Sequence, residues 1–296
     1  MTWKLFDPGA PLIIQGMTGK EGSRMARWLI TSGSNVVAGV TPGKGGQSVE
    51  GRPIFNSVAE AKDAFPAVEI SSIAVPAPFV LSAVSDAIEA GMRFIHILTE
   101  QVPVHDVMRM KEIAQAKGST ILGPSSVGYI QFPQFRMGYL GGESPFSTVQ
   151  EGGAAIVSTS GGMTNELLMS LAHNGIGAKL AFAIGGDRVT GISIEEAIIW
   201  SEDREEVKFL VIFIEPGRPL LRSLLAGMFI FRKPTVVFLA GEALDDLPRG
   251  LPYGHTGTVL GEDDQSVVEI RNGLKAMGIT CVGTMNELIE ECKKYV

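Results

Sequence analysis

His255 stands in Tyr253-Gly254-His255-Thr256-Gly257-Thr258, outside any stretch of apolar periodicity. A neutral imidazole nitrogen is a good nucleophile near pH 7, and flanking glycines leave the ring open to a ligand. Glu215, at the end of an apolar run over 209–214, is a carboxylate able to orient one ring nitrogen while the other reacts. The plain alternatives are a turn histidine and a solvated glutamate before the Pro216-Gly217 turn. His96 lies in an apolar run, and His105 and His173 lie near helix ends, so they suggest packing and solvation rather than chemistry. No Ser-His-Asp order and no HExxH pattern supports a rival reaction.

Anion sites come next. Gly16-Met17-Thr18-Gly19-Lys20-Glu21-Gly22 joins an apolar run to an amphipathic stretch. Free backbone N–H groups and the helix dipole at such a turn suit phosphate. The glycine spacing matches neither the dinucleotide fingerprint nor the P-loop, and a tight turn without a ligand is the alternative. After the second apolar run comes Gly39-Val40-Thr41-Pro42-Gly43-Lys44-Gly45-Gly46. It has no acid to hold the ribose hydroxyls of NAD. Lys44 in a glycine-rich loop suits a ligand with a further phosphate, either coenzyme A or NADP. Ser158-Thr159-Ser160-Gly161-Gly162 is another hydroxyl- and glycine-rich helix start, and Ile184-Gly185-Gly186-Asp187-Arg188 follows the next apolar run. Ligands gather at the carboxyl ends of strands in an open parallel sheet, so these two turns are placed to converge. Simple loop chemistry is the alternative for each.

These residues need a scaffold, and the apolar pattern describes one. Strands are expected over 12–15, 35–38, 70–75, 94–98 and 120–122, with helices over 23–31, 79–90 and 104–117. A second series has strands over 154–158, 180–184, 209–214, 235–239 and 280–282, with helices over 163–172, 193–200, 220–228, 267–277 and 286–294. Strand–helix–strand at this spacing implies an α/β protein with mainly parallel sheets. The chain has 296 residues, which suggests two domains at roughly 150 residues each. The boundaries expected are 1–130 for the first, 154–296 for the second, and a glycine- and proline-rich connection over 131–153.

Composition narrows the function class. Hydrophobic residues make up 45% and charged residues 19%, with 36 glycines and 16 prolines. That excludes long disorder and implies many tight turns or backbone-cradled ligands. A net charge of −7 disfavours a nucleic-acid partner. Cys281 and Cys292 are the only cysteines, so neither a disulfide framework nor a four-ligand zinc site is expected, and no metal site is. The opening residues lack a signal-peptide pattern, and no apolar run reaches the roughly 20 residues a bilayer demands. A cytoplasmic protein, or one of the mitochondrial matrix, is expected, with no membrane partner.

Taken together, these residues resemble the alpha-type subunit of the succinyl-CoA synthetase superfamily, the nucleoside-diphosphate-forming acid–CoA ligases. The most specific pieces are GVTPGKGG at 39–46, VPAPF at 75–79, Thr99-Glu100, IGGD at 184–187 and GHTG at 254–257. The resemblance covers almost the whole chain. It implies a Rossmann-like CoA-binding domain followed by a flavodoxin-like ligase domain, with His255 as the phosphorylated histidine and Glu215 beside it. It places the CoA site on Thr18, Gly19, Lys20, Glu21 and Lys44, on Val75 and Pro76, and on Leu98, Thr99 and Glu100. It places the phosphoryl group at Ser160, Gly161 and Gly162.

Some positions depart from the succinate-using pattern. Asn165 replaces a tyrosine beside the substrate, Gly162 replaces a threonine, and Asp187-Arg188 replaces Asp-Pro. These changes are similar to ATP-citrate lyase and citryl-CoA synthetase. A larger acid with more carboxylates favours glycine for room, and an amide and an arginine for oxygen contacts. Two further departures bear on the acid and the activity, the first of them at a position common to both branches. Thr159 replaces an arginine, and Ile214-Glu215-Pro216-Gly217 replaces the usual Glu-Ile-Gly-Gly surround.

The resemblance implies a ligase that makes an acyl-CoA from a di- or tricarboxylic acid, CoA and ATP or GTP, through a phosphohistidine and an acyl phosphate. Citrate is the first expectation and succinate the second. The absence of a P-loop or ATP-grasp pattern implies a separate beta-type ATP-grasp subunit holding the nucleotide and Mg²⁺, and hence a hetero-oligomer. The more distant alternatives are a CoA-binding subunit without chemistry and a nicotinamide oxidoreductase.

Overall fold

The computed structural model describes residues 5–251, 253, 261 and 264–296. The first half runs β1 (Leu12–Gln15), α1 (Lys20–Thr31), β2 (Val36–Val40), β3 (Ser48–Val49), β4 (Arg52–Phe55), α2 (Val58–Ala64), β5 (Ile70–Ile73), α3 (Val80–Glu89), β6 (Phe94–Ile97), α4 (Val104–Lys117) and β7 (Thr120–Leu122). The second half runs β8 (Gly128–Gln131), β9 (Phe135–Gly138), α5 (Pro145–Thr148), β10 (Glu151–Ser158), α6 (Gly161–His173), β11 (Ala178–Ala183) and α7 (Ile194–Glu202). It continues through β12 (Phe209–Ile214), α8 (Pro219–Leu225), β13 (Thr235–Leu239), α9 (Val267–Ala276), β14 (Thr280–Val282) and α10 (Met285–Cys292).

Each half builds its own sheet. The first has the order β3-β4-β2-β1-β5-β6-β7, parallel except for β3, which pairs antiparallel with β4. From β4 to β7 this is the doubly wound dinucleotide-fold order, with its switch point between β1 and β5. The second has the order β14-β13-β12-β10-β11-β8-β9. Its parallel part, β11-β10-β12-β13-β14, is the flavodoxin order, with a switch point between β10 and β12. The α/β class and the mainly parallel sheets agree with the expectation from the sequence.

Why these segments form these elements is plain from burial. β1, β11 and β12 are buried at every position, as strands covered on both faces must be. In α1, Gly22, Met25, Ala26 and Leu29 fall on one buried face at helical spacing. Ser193 with Glu196, Ser266 with Glu269 and Thr284 with Glu287 form reciprocal capping boxes that start α7, α9 and α10.

The segment expected as a connection, 131–153, is a different object. Its first part completes the antiparallel hairpin β8–β9, which pairs with β11 and extends the second sheet. Gly138, one of the glycines that suggested a linker, and Gly128 opposite it permit close strand contact instead. A Cβ on Gly128 would lie 2.0 Å from the Met137 carbonyl oxygen, and one on Gly138 would lie 2.4 Å from that of Val127. Arg136 in β9 is fully buried and donates to the carbonyls of Trp28, at 2.7 Å, Leu140 and Gly142. The hairpin therefore fastens the second sheet to α1.

One apolar cluster crosses between the sheets. It includes Phe6, Leu12, Met25 and Leu29 from the first half, Tyr129, Phe135 and Met137 from the hairpin, and Val157 and Ile212 from the second half. The Phe6 ring stacks on Phe135 with centroids 4.3 Å apart. Among the described residues no helix is long and apolar enough to cross a membrane.

Candidate functional site

The first sheet opens a cleft of about 400 Å³ at the carboxyl ends of β1, β2 and β5. Gly16, Thr18 and Gly19 line one wall, and Val75, Pro76 and Phe79 another. Gly16 has a φ of +79°, and a Cβ there would lie 2.7 Å from the Ala74 carbonyl oxygen. A Cβ on Gly22 would lie 2.2 Å from the Gly16 carbonyl oxygen. Only glycine lets the loop, the helix and β5 approach this closely. Gly19 is the N-cap of α1 and supplies no side-chain hydrogen bond, so the helix start offers its N–H groups to a ligand. This uncapped glycine cradle fits the phosphates of a nucleotide-like ligand.

The other residues expected here fall around the same cleft. The Thr18 hydroxyl donates to Thr41 Oγ1 at 3.2 Å, which ties the first loop to the end of β2. Lys20 is exposed at the first position of α1. Glu21 pairs with Arg24 at 2.7 Å. Lys44 is exposed on the loop after β2. That loop is held by Asn56, whose Oδ1 accepts from Gly43 N and Gly45 N, each at 3.0 Å. Asn56 was not among the residues expected from sequence; a polar residue before a helix gave no distinctive signal. Thr99 donates to the Val75 carbonyl at 2.6 Å and accepts from Ser125 N at 2.9 Å. Leu98, Thr99 and exposed Glu100 thus stand beside the Val75-Pro76 wall. Asp86 also lines the cleft, and burial, then the nearby Glu89 charge, raises its pKa.

The second group gathers at the switch point of the second sheet. Ser160 caps α6 by accepting from Met163 N at 3.3 Å. Gly161 packs on Val127, while a Cβ on Gly162 would meet nothing within 4 Å. Room therefore remains at the first turn of the helix. Asn165 does not stand free: its Oδ1 accepts from Gly141 N at 2.7 Å. Arg188 is exposed on the loop after β11. Glu215 follows β12 and accepts from Arg218 Nη2 at 3.4 Å. Arg218, buried, also donates to the carbonyls of Gly186 at 2.8 Å and Asp187 at 3.0 Å. Nothing in the sequence pattern had singled out Arg218, because an arginine before a proline reads as surface. His255 lies outside the described residues. Among the described residues no cluster of three or more His, Cys, Asp or Glu side chains could hold a metal ion.

A short segment ties the two groups together. The Tyr139 hydroxyl donates to the Glu21 carbonyl at 2.6 Å, and two residues later Gly141 N donates to Asn165. The helix starts of α1 and α6 are thus both anchored to residues 139–141.

Comparison with known proteins agrees with this geometry. Residues 10–101 match the CoA binding domain family. The chain is 32% identical over 289 residues to the alpha subunit of the ADP-forming succinate–CoA ligase of Methanothermobacter thermautotrophicus, covering 98% of this chain and 96% of that one. The corresponding alpha subunit of Staphylococcus aureus is 32% identical over 295 residues, covering 97% and 94%. Among solved structures, ATP citrate lyase from Methanothrix soehngenii, in complex with citrate and coenzyme A, matches 99% of this chain with a TM-score of 0.86 at 20% identity. This chain spans 50% of that lyase chain, and at such identity the likeness is one of fold.

Proposed function

The chain belongs to the succinate–CoA ligase alpha-subunit family, whose members are acid–thiol ligases, and on that premise we propose that it is the alpha-type subunit of a nucleoside-diphosphate-forming acid–CoA ligase. It joins CoA to a di- or tricarboxylic acid with ATP or GTP. The observation that carries this reading is the pair of glycine-rich helix starts, one at each sheet's switch point, held by one bridging segment. The first suits the phosphates of CoA and the second suits a transferring phosphoryl group.

The chemistry follows from a difficulty. A thiolate cannot displace oxide from a carboxylate. In the proposed relay His255 takes the terminal phosphoryl group of the nucleotide, releasing the diphosphate. The phosphoryl group then passes to a substrate carboxylate oxygen, giving an acyl phosphate and free His255. The CoA sulfur attacks the acyl carbon, the carbon–oxygen bond to phosphate breaks, and inorganic phosphate leaves with the thiol proton taken by solvent. Covalent relay splits one hard step into easier ones, and helix N–H groups stabilise the moving charge. Glu215 orients His255, and Ser160, Gly161 and Gly162 receive the phosphoryl oxygens. Thr18, Gly19, Lys20, Glu21, Lys44, Val75, Pro76, Leu98, Thr99 and Glu100 hold CoA. Mg²⁺, bound with the nucleotide in a beta-type ATP-grasp partner, supplies charge neutralisation there. Cytoplasmic pools of nucleotide and CoA suit such an enzyme.

Citrate is the acid we favour. The open space at Gly162 and the exposed Arg188 leave room and charge for a third carboxylate. Succinate is the second reading, supported by the relatives matched over nearly their whole length. The test is CoA-thioester formation by the complex with its partner subunit across citrate, succinate and malate. Acid-labile label from γ-labelled ATP, lost in His255→Asn, supports the relay. A wild-type complex that takes no label would overturn it.

A further inference from the structure

Arg218 is an odd residue for its place. It is the N-cap of α8, where the helix dipole repels a cation, and it gives no capping bond. Its side chain is nonetheless buried at 8% exposure. Its fork donates to three oxygens on two separate turns: the Glu215 carboxylate after β12, and the carbonyls of Gly186 and Asp187 after β11. In the sheet, β10 lies between β12 and β11. A side chain that starts on the β12 turn and ends on the β11 turn spans the carboxyl end of β10. That is the end at which Thr159 stands, followed directly by the start of α6.

Thr159 is 4% exposed, and its hydroxyl has no hydrogen-bond partner among the described residues. A buried hydroxyl without a partner is costly, so its presence calls for a reason. By resemblance an arginine belongs at 159, and here a buried arginine arrives over the same strand end from 218.

We propose that Arg218 is a positioning residue for the phosphoryl-transfer site, supplying from α8 the fixed cation that an arginine at position 159 would supply from β10. It holds the Glu215 carboxylate in one orientation and fixes the Gly186-Asp187 turn. It also sets a permanent positive charge beside the start of α6, toward the anionic substrate and the phosphoryl group. A planar fork on a fixed set of acceptors does this where a lysine would not. The inference rests on the ligase reading and adds to it the residue that organises this half of the site.

The test is an exchange of the two positions in the complex with its partner subunit. Arg218→Met is expected to slow labelling from γ-labelled ATP by roughly 100-fold, as loss of a fixed charge at a reacting centre does. The CoA concentration for half-saturation should stay unchanged, because that site lies on the first sheet. Arg218→Lys should recover little. The double variant T159R/R218G should recover labelling to within roughly fivefold of wild type, the sign of two coupled positions. Labelling of Arg218→Met at the wild-type rate overturns the proposal. So does a T159R/R218G protein that binds CoA normally yet labels no faster than Arg218→Met. Melting reads the geometry independently of chemistry. T159R and R218G alone should each lower the melting temperature and together restore it, whereas additive losses refute the exchange whether or not the wild type takes label.

Discussion

The phenol of Tyr139 donates to the backbone carbonyl of Glu21 at 2.6 Å, while its ring meets Trp28 edge-on at 5.3 Å and carries the Arg24 guanidinium at 5.0 Å from its centroid. A residue of the second half thus closes the phosphate-type loop of the first. Tyr139→Phe keeps the ring and removes only the hydroxyl. The hydroxyl also donates to Glu21 Oε2 at 3.2 Å and accepts from Arg24 Nε at 3.4 Å, and loss of these part-buried bonds is expected to cost about 1 kcal/mol and about 3 °C of melting temperature. CoA affinity should fall severalfold, as read by titration calorimetry. Unchanged melting and unchanged CoA binding would show that the bridge carries nothing.

His96 gives the fold a pH dependence of definite sign. It is fully buried, with Nδ1 3.3 Å from Ser72 Oγ and Nε2 2.9 Å from the Ser126 carbonyl oxygen. Burial lowers its pKa from 6.5 to about 4, and the Ser126 contact opposes that only in part. As pH falls, the unfolded chain takes up the proton first, so this contribution is complete above 6.5, is lost between 6.5 and about 4, and is flat below. The full loss is about 3 kcal/mol. Urea unfolding across this range should show it, and His96→Gln should flatten that part of the profile.

Gly16 and Gly43 separate steric from conformational cost. Both have positive φ, +79° and +74°. Gly43→Ala meets no neighbour within 4 Å, so only the left-handed backbone is penalised, by about 1 kcal/mol. Gly16→Ala drives its Cβ to 2.7 Å from a carbonyl oxygen and 3.0 Å from Val75 Cγ1, which should cost roughly 2–4 kcal/mol in total. Chemical denaturation should rank them so, and CoA binding should be lost in Gly16→Ala alone. Equal effects would mean that the loop yields.

Gly162 tests the acid. Its Cβ position is open, so Gly162→Thr should leave the melting temperature within about 1 °C of wild type. If citrate occupies that space, the ratio of kcat/KM for citrate to that for succinate should fall by roughly 10-fold or more. A ratio that does not move places the acid elsewhere.

The strands that bear the site were legible because each is an apolar run bounded by turns, as in Leu12–Gln15 and Phe209–Ile214. Three features hid from the pattern. β4 carries Pro53 and alternates poorly, so its pairing with β2 on one side and β3 on the other makes it a strand. The hairpin β8–β9 is framed by glycines that also mark loops; its strand character comes from β11 beside it. Arg136 and Arg218 are cations that single-sequence reasoning assigns to solvent. Both are buried because carbonyls far away in sequence converge on them. The glycine helix starts were visible from local chemistry. Their joining through Tyr139 and Gly141 depends on distant contacts and was not.

The aromatic and aliphatic cluster shared by both sheets makes the seam between them apolar, although each half also keeps a buried cluster of its own. Cut after β7, the front portion would expose a greasy wall where Phe6 now stacks on Phe135. Joined through that wall, the two halves are expected to melt together, so that a tenant settling in either braces both against heat.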